Sequence, residues 1–86
     1  MRAIVNGKLY DTEKSTRIDS KLFHLPVVGS KLTKYLKVYK TASGNIFAES
    51  AEEGILLDAD EIKRICNRNP KAVDVYIEIF GIPEEA

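Results

Sequence analysis

In the stretch Asp58-Ala59-Asp60-Glu61-Ile62-Lys63-Arg64-Ile65-Cys66 the spacing of apolar residues changes from every second position to a helical repeat. Asp58 and Glu61 stand at capping-box spacing: the first carboxylate can accept from the third helical N–H, and the second can reach back. Ile62, Ile65 and Cys66 then form one apolar stripe at i, i+3 and i+4. Carboxylates at the start, with Lys63, Arg64 and Arg68 further on, match the two ends of a helix dipole. The stretch predicts a helix over about 59–67.

Downstream, Asn69-Pro70 punctuates the chain, and Lys71 to Phe80 fits two periods. Val73, Val75, Ile77 and Ile79 alternate as in a strand, whereas Ala72, Val73, Tyr76, Ile77 and Phe80 share a helical face. Asn before Pro is a good N-cap and first helical position, and Gly81 followed by Pro83 is a good stop. The punctuation favours a second helix over about 71–80.

Upstream, the period is two. In Thr33 to Thr41, Tyr35, Lys37 and Tyr39 alternate with Leu36 and Val38. Thr41-Ala42-Ser43-Gly44-Asn45 supplies a turn, and Ile46-Phe47-Ala48-Glu49 begins a return strand. A second hairpin stands at the start, where Asn6-Gly7 provides the two positive-φ positions of a type I′ turn between β-formers. Between the hairpins, Lys14 to Ser30 is less regular. Its Leu22, Phe23, Leu25, Val27 and Val28 are apolar enough for burial, and Pro26 suits an edge strand or a covering loop. The expected architecture is therefore α+β, a single domain over 1–86. An antiparallel sheet of two hairpins, about 2–11 and 34–49, packs under one or two C-terminal helices, about 59–67 and 71–80.

Eighty-six residues with 13 basic and 13 acidic side chains, one His, one Cys and no internal repeat exclude solenoids and generically basic nucleic-acid binders. The first residues lack the apolar stretch of about 7–15 that a secretory signal needs. The longest uncharged run, 22–30, is far short of the roughly 18–20 apolar residues that span a bilayer. A cytoplasmic protein with no membrane partner is expected. One Cys66 makes no intrachain disulfide, and with one His24 it makes no zinc site. His24 and Cys66 are the only pair that could act as base and nucleophile. No third orienting group is recognisable, so no catalytic residue, cofactor or metal is expected.

Charge is distributed unevenly. Residues 1–43 carry nine basic and three acidic side chains, and residues 44–86 carry four basic and ten acidic. Two binding surfaces follow. Lys34, Tyr35, Lys37, Tyr39 and Lys40 interleave lysines with aromatics, a pattern that can stack bases and neutralise phosphates; a solvated edge strand gives the same pattern. Glu49, Glu52, Glu53, Asp58, Asp60 and Glu61 could engage a basic protein partner, although acids at helix starts also simply solubilise. Attraction between the two halves of different copies would give self-association.

Short motifs in order along the chain carry a resemblance. The start Ala3-Ile4-Val5-Asn6-Gly7-Lys8-Leu9-Tyr10-Asp11-Thr12-Glu13, the second hairpin Val38-Tyr39-Lys40-Thr41 through Gly44-Asn45-Ile46-Phe47, and the end Tyr76-Ile77-Glu78-Ile79-Phe80-Gly81-Ile82-Pro83-Glu84-Glu85 resemble small uncharacterised proteins of Firmicutes and their phages or integrated elements. Phe23 to Lys31 has no counterpart in that pattern. The resemblance supports a helix at the end of the chain and implies a mobile-element context. Small phage-borne proteins of this type act by binding, some as inhibitors of host defence. The expected function is stoichiometric binding to a protein partner, with nucleic-acid binding through 34–40 as the alternative.

Overall fold

A computed structural model describes all of residues 1–86. Strands β1 (Arg2–Val5) and β2 (Lys8–Asp11) form the first hairpin, in register from Arg2 opposite Asp11 to Val5 opposite Lys8. Asn6 at φ 50° and Gly7 at φ 75° make the expected turn. Five further strands form the main sheet: β3 (Thr16–Arg17), β4 (Phe23–Pro26), β5 (Thr33–Lys40), β6 (Ile46–Ser50) and β7 (Leu56–Asp58). All pairings are antiparallel. β5 is flanked by β6 and then β7 on one side, while β3 and β4 share its other edge end to end. Pro26 sits at the end of that broken edge strand, where the ladder donor it lacks is not needed.

Helices α1 (Ala59–Cys66) and α2 (Val73–Phe80) complete the α+β fold, joined through a 3-10 turn at Pro70–Ala72. Burial in the last segment follows the helical period. Ala72 and Ile79 are buried, Val75 and Tyr76 half-buried, and Val73 is 51% exposed. The Asp58 capping box forms as the spacing predicts, and Gly81 at φ 93° ends α2 with its N–H donated to the Ile77 carbonyl.

The sheet is covered on both faces. On one, Phe23, Leu25, Leu36, Val38, Ala48 and Leu57 pack against Ile62 and Cys66 of α1, Ala72 and Ile79 of α2. On the other, Phe47 and Leu56 pack against Tyr10, with Tyr39, Ala3 and Val5 at the margin. The β1–β2 hairpin is thus a sheet of its own, laid across the face opposite the helices. The physical reason lies in β6, where the neighbours Phe47 and Ala48 are both fully buried. Successive strand residues point to opposite faces, so burying both requires a layer on each side.

Candidate interaction surfaces

Strand alternation splits the basic-aromatic stretch. Tyr35, Lys37 and Tyr39 share the hairpin face with Phe47 and Glu49, while Lys34 and Lys40 lie on the helix face at the ends of the Leu36–Val38 row. The aromatic rings already have partners. Tyr39 stacks on Phe47 with ring centroids 5.3 Å apart, Tyr10 tilts against the same Phe47 ring at 5.0 Å, and Tyr35 meets His24 edge-on at 4.7 Å. Two of the three lysines are placed against acids, Lys37 directly opposite Glu49 and Lys34 in an ion pair with Glu53, whereas Lys40 is exposed opposite Ile46.

The six acidic residues divide in the same way. Asp58 is buried at 6% exposure. Its Oδ1 accepts the Glu61 N–H at 2.9 Å, and its Oδ2 accepts from Asn6 Nδ2 at 2.5 Å. One carboxylate therefore starts α1 and fastens the hairpin turn to it, with no oxygen left for a partner. Glu61 is half-buried and closes the box on the Asp58 N–H. Glu49 is half-buried between Lys37 and Leu56. Glu53 is held by Lys34, which leaves Glu52 and Asp60 as exposed carboxylates without an ion pair. The two are apart: Glu52 lies in the turn before β7, and Asp60 follows its other end, where Asn6, Lys8, Tyr10, Asn45, Asp58 and Asp60 line a polar depression of about 200 Å³. Burial raises the Tyr10 phenol pKa, and the charges of Asp58 and Asp60 raise it further.

The sheet separates His24 from Cys66. His24 pairs with Tyr35 on the hairpin face, and Cys66 packs with Leu25 and Val38 in the core on the helix face. Burial also pushes the Cys66 thiol pKa up, the opposite of an activated nucleophile. These two residues cannot work as a base and nucleophile pair.

One surface escapes the sequence-level reading. Between α1 and α2 runs a groove of about 520 Å³, with Cys66, Ala72, Val73, Tyr76 and Pro83 in its walls and Lys63, Arg64 and Arg68 along it. Arg68, held at φ 58°, also borders a neighbouring depression of about 560 Å³ with Lys31 and Lys71. All four cations of residues 44–86 therefore gather at the end of α1 and the turn after it. The signal in the sequence is their concentration within 63–71 of an otherwise acidic half, where Lys63, Arg64 and Arg68 also complement the helix dipole.

No helix is long and apolar enough to cross a membrane. No protein-family model, curated protein or solved structure matches this chain, so its functional interpretation rests on these surfaces.

Proposed function

We propose that the protein acts by stoichiometric binding to a protein partner, with the acidic side at the start of α1 as one contact. The supporting observation is the separation of charge along α1. Elsewhere a few cations of the first half meet acids of the second: Lys21 pairs with Glu78, Lys34 pairs with Glu53, and Lys37 stands opposite Glu49. On α1, exposed Asp60 stands at the start without an ion pair, and Lys63, Arg64 and Arg68 stand unpaired in and beyond the last turn. Such local, oppositely signed patches steer and orient a protein partner while leaving the far field neutral. The resemblance to mobile-element proteins suggests a host protein as that partner. Nucleic-acid binding through 34–40 is less well supported, because its rings pack within the protein and two of its three lysines, Lys34 and Lys37, face carboxylates.

The test is affinity capture from lysate of a mobile-element host, followed by reconstitution with the purified partner. An equimolar complex weakened at least tenfold by Asp60→Lys, and unchanged by Glu52→Lys at the other end of β7, is expected. Retention on a single-stranded oligonucleotide resin at about physiological salt, lost in Lys37→Ala, would overturn the proposal in favour of nucleic acid.

A further inference from the structure

We infer that the groove between α1 and α2 is a docking site for a short acidic segment of a partner protein, one that carries a large apolar side chain beside its carboxylates. This contact is separate from the acidic side of the molecule and opposite to it in sign. The groove combines two features that call for such an occupant. Its walls are apolar, and Val73 is 51% exposed although it is a branched aliphatic on a helix. Lys63, Arg64 and Arg68 border it, and none of its lining residues is acidic. The acids of α2 lie elsewhere: Asp74 and Glu78 do not line the groove, and Glu78 is taken by Lys21.

Ligand-binding clefts are concave, largely apolar and about 300–1,000 Å³ in size; the groove's volume of about 520 Å³ lies in that range and leaves room for a large apolar side chain. Guanidinium groups suit carboxylates because they can bind them in bidentate fashion. The walls are held in place. The Asn69 side chain accepts from Lys71 N–H, and its amide donates to the Pro26 carbonyl, which fixes the turn between the helices. The Lys63 ammonium lies 4.9 Å from the Phe80 ring centroid, so its stem runs along α2. A nucleic acid is disfavoured here because Tyr76, the only aromatic in the lining, tilts against Phe80 at 5.1 Å and offers no row of stacking faces.

Fluorescence anisotropy with the full chain tests the proposal, using a labelled peptide of two leucines flanked by glutamates. Binding is expected to weaken as salt rises. Arg68→Glu and Val73→Asp should each reduce it at least tenfold, while Asp60→Lys at the other end of α1 leaves it unchanged. Circular dichroism and the thermal midpoint establish that each variant is folded. The variant Arg68→Gln, which removes charge without reversing it, should fall in between. A peptide with glutamines in place of the glutamates should bind at least tenfold more weakly. Absence of binding, or equal binding of the glutamine peptide, overturns the proposal. So does tighter binding of a single-stranded oligonucleotide at the same cations, or a concentration-dependent dimer that excludes the peptide and is abolished by Arg68→Glu. These outcomes are independent of Glu52 and Asp60, so failure here leaves the acidic contact to its own test.

Discussion

Asp58 shows how much structure one side chain can organise. Its two oxygens join the start of α1 to the turn of the first hairpin, and it is itself buried. Removing an N-cap costs about 1 kcal/mol, and leaving a part-buried amide unpaired costs about 1–3 kcal/mol more. Asp58→Ala should therefore lower the free energy of unfolding by about 2–4 kcal/mol in urea titrations, well beyond the roughly 0.5 kcal/mol of an ordinary surface change such as Asp60→Ala. An Asn6→Ala/Asp58→Ala double mutant should lose less than the two single losses together, because both remove the same bond. Tyr10 reports on the same corner through pH. Its folded pKa is raised above the ordinary value of 10.0, chiefly by burial, then by Asp58 and Asp60. Below pH 10 the phenol is protonated in both states, so its contribution to stability is intact. As pH rises further the unfolded chain releases the proton first, and that contribution is lost through the raised folded pKa. Tyr10→Phe keeps the ring against Phe47 and should flatten the fall in urea midpoint between pH 9 and 11. An unchanged slope would mean that the phenol does not contribute.

At the level of elements, the strongest sequence signals were those whose physics is local. The Asn6-Gly7 turn, the alternation in 33–40 and the Asp58–Glu61 box each involve neighbours within a few positions, and each forms as read. Features set by distant contacts were hidden. Nothing near Asn69 indicates that its amide donates at 2.7 Å to Pro26, 43 residues away. The irregular 14–30 segment becomes two edge strands only because β5 is long enough to pair with both. The candidate sites suffered similarly: alternation correctly put Tyr35, Lys37 and Tyr39 on one face, but which layer covers that face depends on the hairpin crossing it. Asn69→Ala tests the distant tie. It should cost about 1–2 kcal/mol through the lost cap. It should also speed hydrogen exchange at the Val27 and Ser30 amides, which close the β4–β5 loop, while β5–β6 amides keep their protection. Exchange unchanged in that loop would show that the Pro26 contact does not hold it.

Over the whole molecule, zero net charge is the sum of a basic first half and an acidic second half. The two halves meet in two ion pairs, Lys21–Glu78 and Lys34–Glu53. Surface pairs of this kind contribute only about 0–1 kcal/mol each, so they neutralise the surface more than they stabilise the fold. Stability depends on how the three layers are joined, and the joints differ. The helices share ten buried residues with the sheet, whereas the hairpin rests on three, Tyr10, Phe47 and Leu56, plus the Asn6–Asp58 bond. A two-stranded hairpin has little stability by itself, so residues 2–11 should be protected only as far as that small contact allows. Native-state hydrogen exchange should show those amides opening at lower free energy than the β5 amides. Tyr10→Ala, which removes the hairpin's largest buried ring, should abolish their protection and leave β5 and β6 protected. If protection is instead lost uniformly across all three layers, the hairpin belongs to the same cooperative unit as the sheet, and Phe47 transmits stability between its two faces.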